Sequence, residues 1–167
     1  MTITRSIGLA GLKSCANSTP PSNFSIKHPN GGSIPDEITH DLIIDTNIFL
    51  EILLTQKRWR ACEDLLRQYR GKSAFTDFAL HSIGVALLGQ QKAMLFQAFL
   101  NDVLVRNDLL ALPSSEYPLL LSIHERHRLG FDDAYQLAVA EHFGLEFITI
   151  DRHFRGIDSP IKITILE

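Results

Sequence analysis

The sequence predicts an α/β protein in which helices cover both faces of a parallel central sheet. Two observations lead to this class. Short apolar segments alternate along the chain with longer segments whose apolar residues recur at helical spacing. The apolar segments are continuous rather than alternating with polar residues, which is typical of strands buried on both faces. Together they predict a three-layer α/β/α sandwich.

The first half of this pattern begins at Asp41. A strand is predicted over "DLIID", followed by helical spacing in "IFLEILLTQKRWRACEDLLRQYR" with a break near Lys57. A short strand in "SAF" comes next. Helices in "DFALHSIGVALL" and "KAMLFQAFLNDVLV" then precede a strand in "LLALP".

The second half repeats the alternation. The segment "SEYPLLLSIHERHRL" predicts a helix, with Ser115 as a candidate N-cap and Gly130 as its stop. A helix in "DDAYQLAVAEHF" ends at Gly144, and "EFITI" predicts a buried strand that ends at Asp151. The segment "IKITIL" predicts a last strand.

Length and composition place this pattern in one domain. A chain of 167 residues suits a single hydrophobic core. Residues 1–35 contain no Asp or Glu and are rich in Ser, Thr, Asn, Pro and Gly, so a poorly ordered extension is expected there. The folded domain is therefore predicted over residues 36–167.

The net charge and the cysteine content indicate which partners and which cellular compartment to expect. The net charge of -3 gives no general basic field for nucleic acid, although a local basic rim remains compatible with one. Cys15 and Cys62 are too few for a disulfide framework, which favours the reducing cytoplasm. No apolar run is long enough to span a bilayer, so no membrane partner is expected.

Four aspartates are the candidates for chemistry. Asp45 and Asp151 each end an apolar strand, and ligands of open α/β sheets bind at those ends. Asp132 and Asp133 open the helix before the second of these strands. Each has a structural alternative: Asp132 as an N-cap, Asp133 as a charge favouring the helix dipole, and the other two as turn residues. Whether the four converge depends on a topology that spacing alone leaves open.

Convergence would create a need for a cation. Two carboxylates about 4 Å apart repel by roughly 4 kcal/mol at an effective dielectric of 20. Protonation or a bound cation relieves that repulsion, and oxygen ligands without cysteine favour Mg²⁺ or Mn²⁺. Such an ion suits phosphodiester hydrolysis. An aspartate-nucleophile phosphatase would need a second acid two residues after Asp45, where Asn47 stands.

Three segments, taken in order, resemble the PIN-domain family, which includes the VapC-type toxin ribonucleases. They are "LIIDTNIFLEILL", "DDAYQLAVAEHFG" and "FITIDRHF", and the resemblance covers roughly residues 41–166. It implies an α/β/α fold, RNA as substrate, Mg²⁺ or Mn²⁺ as cofactor, and a possible small antitoxin partner and homodimer.

The resemblance also implies roles for residues of this chain. Asp45, Asp133 and Asp151 match the family's catalytic, metal-binding acids, and Asp132 is the next candidate ligand. Thr46 and Asn47 match polar positions that support the first acid. Asn47 and Arg152 are candidate substrate contacts, because Arg152 follows a site acid and can reach a phosphate.

One departure from the family pattern divides the hypotheses. The family usually places a glutamate where this chain has Ser82, or His81 if the register shifts by one residue. Asp77, Asp132 and Glu51 are the candidate replacements, although none of them matches the motif. The first hypothesis is therefore a metal-dependent endoribonuclease. The alternative is a PIN-like RNA-binding or protein-interaction module that has lost catalysis.

Overall fold

A five-stranded parallel sheet organises residues 40–167, which is the part of the chain that the computed structural model describes. The extension predicted for residues 1–35, and its boundary near residue 36, lie outside that part. The strands are β1 (Leu42–Ile44), β2 (Ser73–Thr76), β3 (Asp108–Leu110), β4 (Glu146–Thr149) and β5 (Ile163–Ile165). Their order in the sheet is β3-β2-β1-β4-β5, and every neighbouring pair is parallel.

Six α-helices connect or flank the strands. They are α1 (Thr46–Leu53), α2 (Trp59–Gln68), α3 (Asp77–Gly89), α4 (Ala93–Phe99), α5 (Tyr117–His127) and α6 (Phe131–Phe143). A π-helical turn at Leu100–Leu104 extends α4, and 3₁₀ turns cover Ser114–Glu116 and Arg152–Phe154. The predicted α/β/α class is confirmed. None of these helices is long and apolar enough to cross a membrane.

The two faces of the sheet carry separate cores, because successive side chains of a strand point to opposite faces. Ile43, Ala74 and Phe147 belong to the buried cluster that includes the apolar faces of α5 and α6. On the other face, Phe75 packs edge-on against Phe49 of α1 at 5.4 Å between ring centroids, and against Phe99 of α4 at 5.8 Å. Burial on both faces explains why the strand segments are continuously apolar.

The predicted break in the first helical segment is real and lies slightly earlier than Lys57. Helix α1 ends at Leu53, and Thr55 has a φ of 52°, a left-handed conformation that stops the helix. Helix α2 starts again at Trp59. Its Cys62 is fully buried, and burial next to Glu51 raises the pKa of this thiol to about 11.

Two predicted helix caps are wrong. Ser115 lies inside the 3₁₀ turn before α5, where its hydroxyl donates to Glu116 Oε1 at 3.4 Å. Asp132 is not the N-cap of α6 either. The cap position belongs to Gly130, which has no side chain, so Asp132 falls in the first turn. Its carboxylate is therefore not used to cap the helix backbone.

The strand order creates a switch point in the middle of the sheet. The chain passes from β1 outward through β2 to β3, and returns to the other side of β1 as β4. Ile44 pairs with Ile148, and the Asp45 N–H donates to the Ile148 carbonyl at 3.0 Å. The carboxyl ends of β1 and β4 therefore lie side by side, which is where open α/β sheets bind ligands.

Candidate active site

Asp45 lies at the bottom of this switch point. It follows β1 directly, is fully buried, and caps the start of α1 by accepting a hydrogen bond from the Asn47 N–H at 3.3 Å. The Asn47 side-chain amide donates to the other carboxylate oxygen, also at 3.3 Å. Asn47 thus supports the first acid, as the resemblance implied. Burial raises the pKa of Asp45, and these hydrogen bonds act in the opposite direction.

Thr149 joins the ends of the two central strands. Its hydroxyl donates to Asp45 Oδ2 at 2.5 Å and accepts from the Asp151 N–H at 2.9 Å. The side chain is fully buried at the last position of β4. One hydroxyl therefore sets the position of Asp45 and of the backbone that carries Asp151.

Gln136 completes the support of Asp45 from α6. Its amide nitrogen donates to Asp45 Oδ1 at 3.2 Å. Its amide oxygen accepts from the Thr46 N–H at 3.1 Å and from the Thr46 hydroxyl at 3.2 Å. The buried set Asp45, Thr46, Gln136 and Thr149 is called the floor of the site below.

The rim of the site consists of Asp132, Asp133, Asp151 and Arg152. Asp133 is half-buried, in the first turn of α6. Its pKa is raised to about 6, first by burial and then by the negative charges of Asp132, Asp45 and Asp151, while His153 lowers it. The predicted catalytic acids are thus close enough in space to influence one another's charge.

Asp151 and Arg152 lie where β4 leads into a 3₁₀ turn. Asp151 caps this turn, because its carboxylate accepts the His153 N–H at 2.9 Å. The His153 ring lies 3.3 Å from the same carboxylate oxygen. Arg152 is exposed, and none of the carboxylates of residues 40–167 forms an ion pair with it. Its guanidinium is therefore free to meet an anion from solution.

The rim and floor have the chemistry of a hard-cation site but not a closed ligand shell. Carboxylates directly after β1, in the first turn of α6 and in the turn after β4 supply oxygen donors. Burial, and after it the charges of the neighbouring carboxylates, raise the pKa of Asp133. Among the described residues, however, no three Asp, Glu, His or Cys side chains are grouped closely enough to hold a metal ion. The donor types fit Mg²⁺ or Mn²⁺, and the side chains would have to move to close around one.

The candidate replacements for the family glutamate lie in different surroundings. Glu51 is buried against Arg58, whose backbone N–H donates to it at 2.9 Å. Asp77 accepts the Tyr135 hydroxyl at 2.9 Å. Asp132 alone of the three lies beside Asp133, and it lines the same groove as Ser82.

Sequence reasoning missed Gln136 and Thr149. The available signal was one polar residue in an otherwise apolar segment: Gln136 in "AYQLAVA" and Thr149 in "FITI". A buried polar side chain needs a hydrogen-bond partner, so each of these positions points to a polar feature nearby. The identity of the partner, Asp45 in both cases, required the sheet order.

We compared the chain with protein families, curated proteins and solved structures. Residues 42–160 match the sequence profile of the PIN domain. A comparison with curated proteins finds no match.

Several solved structures share the fold. A toxin-antitoxin complex from Klebsiella pneumoniae has a TM-score of 0.55 at 19% identity, with 73% of this chain and 99% of that chain covered. VapBC2 from Rickettsia felis, bound to a promoter DNA fragment, has a TM-score of 0.59 at 14% identity, with 75% and 98% covered. FitAcB from Neisseria gonorrhoeae has a TM-score of 0.55 at 22% identity, with 74% and 96% covered.

Proposed function

The chain belongs to the PIN-domain family, and on that premise we propose that it is a metal-dependent endoribonuclease that hydrolyses RNA phosphodiester bonds. The observation that carries the proposal is the convergence of acids at the switch point. Asp45 is buried directly after β1, and the half-buried Asp133 has its pKa raised first by burial and then by the charges of Asp132, Asp45 and Asp151. Bringing three carboxylates from separate elements together, one of them fully buried, costs free energy and destabilises the fold. A divalent cation would offset that cost.

The proposed ligands of Mg²⁺ or Mn²⁺ are Asp45, Asp133 and Asp151, with Asp132 next in line. When bound, the cation would lower the pKa of a water molecule and polarise the scissile phosphate. Gln136 and Thr149 hold the Asp45 carboxylate in one orientation, so a cation would meet it in a fixed position.

Substrate positioning is assigned to Arg152 and Asn47. The exposed guanidinium of Arg152 follows Asp151 directly and suits a phosphate of the RNA backbone. Asn47 holds Asp45 with both of its N–H groups and keeps its side-chain oxygen for a ribose hydroxyl.

Cleavage of RNA by the Asp45→Asn variant is the direct test. With Mn²⁺ present, we expect a loss of at least about a hundred-fold, because the substitution removes a ligand charge while keeping the shape of the side chain. Asp158→Asn, at an exposed position away from the site, is the matched control and should cleave as the wild type does. Equal cleavage by Asp45→Asn and the wild type would overturn the proposal.

Binding of Mn²⁺ can be followed without any substrate. Calorimetric titration of the wild type should give micromolar binding, and Asp133→Asn should weaken it strongly. Unchanged tight binding in this variant would assign the ligand role to Asp132 instead.

A second candidate function is a PIN-like module that binds RNA or protein without catalysis. Two points favour it: the family glutamate is expected where this chain has Ser82, or His81 in the shifted register, and residues 40–167 hold no ready group of three metal ligands. Under this alternative, Asp45→Asn leaves RNA binding nearly intact, and no Mn²⁺ binds to the wild type.

The partners proposed beyond RNA are a small antitoxin protein and a second copy of the chain, acting in the cytoplasm. Support comes from the solved structures that share the fold, since one is described as a toxin-antitoxin complex. The antitoxin is tested by co-expression with the product of a neighbouring gene: the two proteins should co-purify, and RNA cleavage should be lost. The dimer is tested by size-exclusion chromatography with light scattering.

A further inference from the structure

A groove lies beside the rim, between the exposed side of α3 and the start of α6. Its cavity volume is about 360 Å³, within the range of small-molecule pockets. The side chains that form most of its wall are Phe78, His81, Ser82, Val85, Phe131 and Asp132. The groove adjoins the candidate active site, because Asp132 lines the groove and also belongs to the rim, where its charge acts on Asp133.

Phe131 is the unusual member of this wall. Its side chain is 52% exposed, although a phenylalanine at the start of a helix could easily turn into the core. One face of its ring stacks on Tyr135, with centroids 6.1 Å apart and planes 25° apart. Phe78 meets it edge-on at 5.5 Å. These neighbours hold the ring still and leave part of it open to solvent.

The charges of the groove decide what kind of group it can accept. Its lining contains Asp132 but neither lysine nor arginine, so a phosphate is disfavoured inside it. The exposed Arg152 is outside the lining of the groove and directly follows Asp151 of the rim. An RNA strand that places a phosphate at the rim would therefore turn a base, rather than its backbone, into the groove. Bases stack on aromatic rings irrespective of sequence, and their polar edges suit His81, Ser82 and Asp132.

We propose that this groove is a nucleobase subsite, in which Phe131 stacks on the base next to the phosphate held at the rim. This inference rests on the proposed ribonuclease function and adds to the same site a position for one unpaired base, beside the reacting phosphate. Phe131 is then a substrate-binding residue that acts on affinity rather than on the chemical step.

Binding of a short single-stranded RNA with 2-aminopurine at one position tests the stacking directly. The measurements use Asp45→Asn as background, so that the RNA stays intact. Moving the probe along the strand should reveal one position at which its fluorescence is quenched on binding. Phe131→Leu should remove this quenching and weaken binding about five- to a hundred-fold, whereas Phe131→Trp should retain both. Leu121→Ala, which removes a similarly exposed apolar side chain outside the groove, is the control.

Three results would overturn the subsite: no RNA binding, equal quenching in Phe131→Leu, or a change in oligomeric state as the main effect of that variant. The last result would assign the groove to a protein partner. Failure of the proposed function looks different, since RNA cleavage by the wild type would be absent while quenching at Phe131 persists. Cleavage abolished by Asp45→Asn together with no effect of Phe131→Leu would leave the ribonuclease proposal standing without the subsite.

Discussion

The floor and the rim of the candidate site hold their carboxylates by different means. Asp45 on the floor accepts hydrogen bonds from both N–H groups of Asn47, from Gln136 and from Thr149. Asp133 on the rim accepts no hydrogen bond from residues 40–167. Its pKa is raised by burial and, after that, by the negative charges nearby. The floor is thus fixed by packing and donors before any ligand arrives, while the rim can adjust its position and its protonation.

The largest effect is expected from removing the hydroxyl that anchors the floor. Thr149→Val keeps the shape of the side chain but leaves Asp45 Oδ2 and the Asp151 N–H without their buried partner. We expect a loss of about 1–3 kcal/mol, which lowers Tm by roughly 3–10 °C in a scanning-calorimetry melt. Affinity for Mn²⁺ should fall about ten- to a hundred-fold.

Thr164→Val is the matched control for this variant. The Thr164 hydroxyl lies on β5, is partly exposed, and donates to Glu146 rather than to a site residue. Its loss should leave Mn²⁺ affinity unchanged. Equal effects of the two substitutions on Tm and on Mn²⁺ affinity would show that the Thr149 hydroxyl has no special role in the site.

Restoring the family glutamate tests whether the rim is incomplete. Ser82→Glu adds a carboxylate to the groove wall next to Asp132, and we expect Mn²⁺ affinity measured by calorimetry to rise about ten-fold. Val85→Glu, one turn further along the same groove, adds the same charge at a greater distance along the helix. A similar gain from both variants would mean that only the general negative field has changed.

Protonation of Asp133 should make the rim sensitive to pH. Its folded pKa of about 6 exceeds the value of 3.8 for an ordinary Asp, so the folded state binds this proton more tightly than the unfolded chain does. In a chelating buffer, lowering the pH from neutral to ~5 should stabilise the wild type relative to Asp133→Asn by a few °C in Tm.

Metal binding should respond to pH in the opposite direction. Because protons compete with the cation, Mn²⁺ affinity should decrease by up to about ten-fold per pH unit below pH ~6. In the Asp133→Asn variant, Mn²⁺ affinity should not show the decrease below pH ~6 that protonation of Asp133 causes. A pH profile that is the same in wild type and variant would remove Asp133 from the ligand set.

The smallest effect is expected at Arg152. Arg152→Ala should weaken RNA binding a few-fold and reduce the slope of log affinity against log salt by about one phosphate contact. Stability should not change, since the side chain is exposed. Arg70→Ala, at another exposed position just after α2, is the control and should leave the salt slope as it is. Equal slopes in both variants would remove Arg152 from the substrate contacts.

The sequence predicted the sheet well because its signals are local. Continuous apolar segments mark β1 and β4, and each is followed by one of the predicted site aspartates. The helix boundaries were less predictable, because Gly130 rather than Asp132 takes the cap position of α6. That choice depends on how the chain enters the helix from Leu129, whose buried side chain belongs to the core.

The support of Asp45 could not be predicted, because it joins residues far apart in the chain. Gln136 and Thr149 reach Asp45 from 91 and 104 residues away. Only the pairing of β1 with β4 brings them together. A motif can indicate which acid is important, while the donors that orient it are visible only in three dimensions.

The pairing of Ile44 with Ile148 has a consequence for how the chain tolerates insertions and deletions. Side chains of a strand alternate between the faces of a sheet, so removing one residue from β4 would turn Thr149 away from Asp45 and misplace the turn that carries Asp151. An added residue in the exposed segment from Gln90 to Lys92, between α3 and α4, disturbs neither strand end. Length changes among relatives of this chain should therefore collect in such connecting segments and avoid β4.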